Sequence, residues 1–314
     1  MLKKLTLDGL KADYANVEKL LLSRNLDNDP IGHIQLENRK KNLSLKIESV
    51  KNTPEHKAGI ALFFTGTPVV GSRGIKVDFA GRFIGLFQDL VAKQFAAEEI
   101  GDIGLRGPVP LKQNSDLLMT DIARGSVGVV LEEADQNEAI VDTQLKVVVN
   151  HVAEAIAAAA NPEPERFDEL IEKIDYRFLN TLSNIFSLLD DEGATTRIVE
   201  GEQDFQLDAY SIKRARERTS TTHIEERDGE DFKGKLFLLP AHKKFELVQA
   251  GTGGTIYGAV SGEFAKGKLQ ELLSAGDVAG HNWIAKLKTR KVTRPNREPK
   301  ITFTLVGLVE KVAD

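Results

Sequence analysis

The hydrophobic pattern of this chain changes character at Gly193, and that change limits the possible folds more than any other feature. Before it, apolar residues recur at the three-to-four-residue spacing of helices. After it, they alternate in short runs broken by glycine, proline and charge, as strands do. Helical texture first and strand texture second points to an α+β protein of at least two parts. At 314 residues the chain has room for two domains.

Leu7, Leu10, Tyr14, Val17, Leu20 and Leu21 follow helical spacing. Asp29-Pro30 then supplies an N-cap and a first-turn proline, so the chain is predicted to open with a helical pair. Ile60 to Phe64 reads as a buried strand, closed by a glycine-rich turn. Phe79, Phe83, Leu86, Phe87, Leu90, Val91 and Phe95 then mark an amphipathic helix. Leu117 to Ile122 and Val127 to Leu131 read as a hairpin joined through residues 124–126. Two helices are predicted at about 138–160 and 164–189, separated by Asn161-Pro-Glu-Pro164, where proline forces a break.

Beyond Gly193, β-like segments fall at 195–199, 221–226, 234–239, 244–249, 255–261, 282–292 and 300–309, with helices near 208–218 and 264–274. The last five segments and the second helix run strand, strand, strand, helix, strand, strand. That is the order of an OB-type barrel, with SH3-like and other small barrels as alternatives. The expected organisation is a helix-rich α/β domain with a small sheet at 1–192 and a connecting segment with a basic helix at 193–229. An OB-like or related small β-barrel follows at 230–314.

Gly66-Thr-Pro-Val-Val-Gly-Ser-Arg-Gly-Ile75, with Asp78-Phe-Ala80, Phe87-Gln-Asp-Leu-Val91, Gly107-Pro-Val-Pro110 and Ala123-Arg-Gly-Ser-Val-Gly-Val-Val-Leu-Glu-Glu133, resembles a pattern in a scattered group of bacterial conserved hypothetical proteins. The resemblance spans about residues 60 to 135. It implies a bacterial source and carries no activity.

The absence of cysteine excludes disulfides, thiolate nucleophiles and thiolate metal sites. The most apolar stretch, Val147 to Ala160, is interrupted by Asn150, His151 and Glu154 and is shorter than the roughly 20 residues of a membrane span. A cytoplasmic protein without membrane contact or cofactor is therefore expected. His33, His56, His151, His223, His242 and His281 show no metal-binding spacing, and no nucleophile elbow is present, so no catalytic or metal residues are assigned. Glu55-His-Lys57 is the nearest approach to a nuclease Glu-x-Lys. Gly71, Ser72, Arg73 and Gly74 lie between a strand and a helix, where backbone N–H groups can hold an anion. Asp78 as cap would use the same groups, leaving a packing turn as the plainer reading.

Charge is distributed unevenly. Residues 1–204 hold 23 Lys/Arg against 33 Asp/Glu, and residues 205–314 hold 19 against 14. Arg290, Lys291, Arg294, Arg297 and Lys300 crowd the connection between the last two predicted strands, where OB barrels contact oligonucleotides, and Lys213, Arg214, Arg216 and Arg218 make a basic helix. Alternation turns Phe245, Leu247, Ile256 and Val260 inward and leaves Tyr257 outside, free to stack on a base. The expectation is a non-enzymatic protein that binds nucleic acid through Tyr257 and the five basic residues. The alternatives are an adaptor that docks a protein through its N-terminal helices, for example in an anti-phage defence assembly, and a cryptic enzyme.

Overall fold

A computed structural model describes residues 2–24, 29–101, 103–123, 127–135, 139–239, 242–251, 253–267, 269 and 280–312. It is a mixed α+β structure that divides into two compact units. One comprises Met1–Phe95, Val109–Leu170 and Thr181–Arg216, the other Ala96–Pro108, Ile171–Asn180 and Glu217–Asp314.

The first unit opens with the predicted helical pair, α1 (Lys3–Ser23) and α2 (Pro30–Asn52). Asp29 caps α2 by accepting from Gly32 N–H at 2.9 Å, and Pro30 takes the first helical position, as the sequence requires. Lys40 ties the helices together, pairing with Glu18 at 2.8 Å and lying over the Tyr14 ring.

Behind the pair lies an antiparallel sheet of order β4-β5-β1-β6-β7, formed by β1 (Gly59–Gly66), β4 (Leu117–Ala123), β5 (Val127–Glu133), β6 (Ala194–Glu200) and β7 (Gln203–Leu207). Strand β1 is a continuous apolar run because both its faces are covered. Phe64 meets Phe79 and Phe83 of α3 (Val77–Ile100) edge to face, with ring centroids 5.4 and 4.8 Å apart. Ala61 and Phe63 pack on the opposite face with Val130, Val199 and Leu2. Helix α4 (Gln144–Ala160), capped by Thr143, lies against β1, β6 and β7 with Ala153, Ala155, Ala159 and Ala160 buried. The paired strands expected at 117–122 and 127–131 are β4 and β5, while their junction at 124–126 lies outside the described residues.

Two features of this unit differ from the sequence reading. The stretch 193–229 supplies β6, β7 and α7 (Ala209–Thr221), and β6 hydrogen-bonds directly to β1. Two of the basic residues of α7 also have internal partners. Arg214 donates to the Ala160 carbonyl at 2.7 Å, capping α4, and Arg216 pairs with Asp190 and Asp191.

The second unit is built on five strands, β8 (His223–Leu239), β9 (Lys244–Gln249), β10 (Thr255–Val260), β11 (His281–Thr293) and β12 (Lys300–Val312), with the short α8 (Gly262–Lys266) after the third. The hydrogen-bonded order β10-β12-β11-β8-β9 returns on itself through β9 and β10. Among the described residues of this unit, only the β10–β12 pairing is parallel. Leu236, Phe245, Leu247, Ile256, Val260, Trp283, Leu287 and Leu305 fill the interior, among them the four residues, Phe245, Leu247, Ile256 and Val260, that alternation turned inward. The segments read as 221–226 and 234–239 form one long strand, β8, interrupted by a bulge opposite Leu287 and Thr289. Of the helix expected at 264–274, residues 268 and 270–274 lie outside the described residues.

The helix predicted at 164–189 is broken in two, α5 (Pro164–Lys173) and α6 (Tyr176–Asp191). Asp175 caps α6 by accepting from Phe178 N–H at 2.7 Å, and Arg290 takes up carbonyls at the end of α5. Local periodicity runs through this point, so the break is a tertiary effect.

Candidate nucleic-acid groove

The outer face of the second unit carries a groove of about 1300 Å3, lined by Tyr257, Ala259, Thr302, Thr304, Lys286, Lys288, Arg290, Glu226, Asp228, Glu172 and Asp175 among others. Strand register explains the arrangement. Arg290 lies opposite Glu226 on β8 and opposite Thr302 on β12, and the parallel β10 register carries the row on to Tyr257. The next row runs from Lys288 through Thr304 to Ala259. Reading across the strands, the face passes from carboxylates on β8 to cations on β11, hydroxyls on β12 and a two-thirds-exposed aromatic ring on β10.

Two of the cations are held by carboxylates. Glu226, with only 8% of its side chain exposed, accepts from Lys288 at 3.0 Å and sits 3.5 Å from the Arg290 guanidinium. Asp228 lies 3.7 Å from Lys288. Arg290 also donates to the Ile171 and Ile174 carbonyls, the latter at 2.8 Å. Its role is thus to hold the turn between α5 and α6, and burial shifts its pKa downward against the pull of Glu226, Asp175 and Glu172. Lys286 is exposed and makes no ion pair with a described residue.

The sequence-assigned residues do not all gather here. Tyr257 and Arg290 line the groove, whereas Lys291, Arg294, Arg297 and Lys300 lie outside its lining. Lys291 is opposite Glu225 in the β8 ladder. Lys300 donates to the Glu172 carboxylate, and that bond, with Arg294 and Arg290 nearby, holds Glu172 below the ordinary carboxylate range. Sequence reasoning missed Lys286 and Lys288, although their spacing with Arg290 at every second residue is the signature of one strand face. It also missed the acidic run at 225–231, whose pairing with β11 only the strand order reveals.

In the first unit, Gly71, Ser72, Arg73 and Gly74 belong to a tight exposed hairpin between β2 (Val69–Val70) and β3 (Gly74–Ile75), where Arg73 N–H is bonded to the Val70 carbonyl. Asp78 pairs with Arg82 one helical turn on. Near the start of α4, His56 Nδ1 contacts Asp142 at 2.8 Å and Lys146 donates to the same carboxylate, while Asn150 donates to the buried Glu200 at 2.8 Å. Lys57 of the Glu-x-Lys match donates to the Asp135 carbonyl. Among the described residues no group of three or more His, Cys, Asp or Glu side chains is arranged to hold a metal ion, and no helix is long and apolar enough to cross a membrane.

No protein-family model, no curated protein and no solved structure matches this chain.

Proposed function

We propose that this is a nucleic-acid-binding protein whose second unit is an OB-type barrel and whose ligand lies in the groove on β10, β12 and β11. The observation that carries the reading is the cross-strand row from Tyr257 through Thr302 to Arg290, with Lys286 and Lys288 beside it. It sets an exposed ring for a base and ammonium groups for phosphate at opposite edges of a floor of small side chains. The strand order 1-2-3-5-4-1, with strands 3 and 5 parallel, supports the barrel type.

Anisotropy of labelled oligonucleotides against the full chain tests it. Tyr257→Ala is expected to weaken binding by about 1–3 kcal/mol and Tyr257→Phe to preserve it, since stacking uses the ring. Lys286→Gln should flatten the slope of log affinity against log salt by roughly 0.7 to 0.9. No binding by the unsubstituted protein at low salt would sink the reading.

A second reading, docking of a protein through the helical pair, is favoured by one feature. Leu22 near the C-terminal end of α1 and Ile31 and Ile34 near the N-terminal end of α2 are exposed, Leu22 by 89%. Crosslinking and pull-down with Leu22→Lys as the control tests it.

A further inference from the structure

Resting on that reading, we infer that the groove selects a single strand over a duplex, and that Asp175 and Glu172 are the residues that enforce the choice. The cations Lys286, Lys288 and Arg290 all lie on β11, so the positive stripe is one strand wide, about 4.8 Å. Glu226 and Asp228 border it on the β8 side, and Glu172 at the end of α5 and Asp175 in the turn after it line the same groove. Asp175 and Glu172 lie near enough for Arg290 to feel both charges.

One phosphate backbone fits along such a stripe with its bases turned toward Thr302, Thr304 and Tyr257. The second backbone of a duplex lies across a groove of about 6 or 12 Å, farther than the stripe is wide, and would meet the carboxylates that line the groove on the β8 side and near the α5–α6 turn. Toward β10, the projecting Tyr257 ring offers its face to an unstacked base and obstructs one already stacked in a helix. Repulsion of the wrong ligand, added to attraction of the right one, is how binding sites gain specificity.

Neither carboxylate is needed for the cation stripe itself. Asp175 caps α6, a task asparagine performs equally well, so Asp175→Asn removes the charge and keeps the cap. Glu172→Gln also releases Lys300, which raises affinity for every nucleic acid. The informative quantity is therefore the ratio of duplex to single-strand dissociation constants. Glu310→Gln, exposed on β12, controls for the change in net charge.

The experiment measures that ratio by anisotropy for the full chain and for each variant, with Trp283 fluorescence confirming an intact barrel. The unsubstituted protein is expected to prefer the single strand. Asp175→Asn is expected to narrow the preference, and Asp175→Asn with Glu172→Gln to narrow it about tenfold, while Glu310→Gln leaves it unchanged. Equal binding of duplex and single strand by the unsubstituted protein, or a ratio that the double variant does not move, overturns this inference and leaves nucleic-acid binding standing. Binding of neither form removes both.

Discussion

The Arg290 guanidinium donates to the Ile174 carbonyl at 2.8 Å, so a strand residue supplies the hydrogen bond that the end of helix α5 lacks. The same side chain neutralises Glu226, which is almost fully buried. Arg290→Ala should cost about 3 kcal/mol, because it leaves the helix-end carbonyls without their donor and Glu226 with Lys288 as its remaining cation. Arg290→Lys should recover only part of the loss, since an ammonium cannot reproduce the planar fork. Urea unfolding followed by Trp283 fluorescence measures both, and wild-type stability in Arg290→Ala would refute the role.

Gly258 lets β10 and β12 approach. A Cβ there would lie 2.1 Å from the Phe303 carbonyl oxygen and 2.5 Å from the Phe245 ring. Gly258→Ala should therefore destabilise the second unit by about 3 kcal/mol or more. Gly74, whose Cβ would meet nothing within 4 Å, should accept alanine with little change. The two melting curves, read at Trp283 and by far-UV circular dichroism, decide the matter.

Lys93, nearly buried in α3, donates to Asp89 at 2.6 Å, and Asp89 also accepts from Thr181 at 3.0 Å. Asp89→Ala removes the counter-charge from a buried ammonium and should cost about 3–5 kcal/mol. Adding Lys93→Met should restore most of that, since the charge left without its partner is the main cost. A double variant no more stable than Asp89→Ala would contradict this account.

Burial is the main cause that pushes Glu200 above the ordinary carboxylate range, against the Asn150 hydrogen bond and the Lys146 charge. A carboxyl with a raised folded pKa binds its proton more tightly when folded. Its contribution therefore grows as pH falls from the raised value toward the unfolded value and is lost as pH rises. Glu200→Gln should be more stable than the wild type at pH 8, with the difference closing as pH drops toward 5. Denaturant titrations at several pH values test this, and a difference independent of pH rules it out.

Local chemistry settled much of this structure. Asp29-Pro30 fixed the start of α2, the apolar run at β1 announced a doubly covered strand, and alternation placed Phe245, Leu247 and Ile256 inside with Tyr257 outside. Each of these depends on neighbours a few residues away, so one short window of sequence contains the cause. Strand β7 escaped notice because its five residues are mostly polar and are held at the sheet edge by the Arg197–Asp204 pair.

The groove belongs to the other class. Charge count along the chain made the region from Arg290 to Lys300 look like a free cationic surface, since Glu298 alone stands against five Lys and Arg in that stretch. Strand order sets Glu225 and Glu226, some sixty positions earlier, directly opposite Lys291 and Arg290, and the end of α5 with the turn after it adds Glu172 and Asp175 from farther still. The sequence by itself determined which residues face out from each strand. Which charges face one another depended on pairing between distant segments, whose energy appears only when those strands meet, and that was left to the tertiary structure.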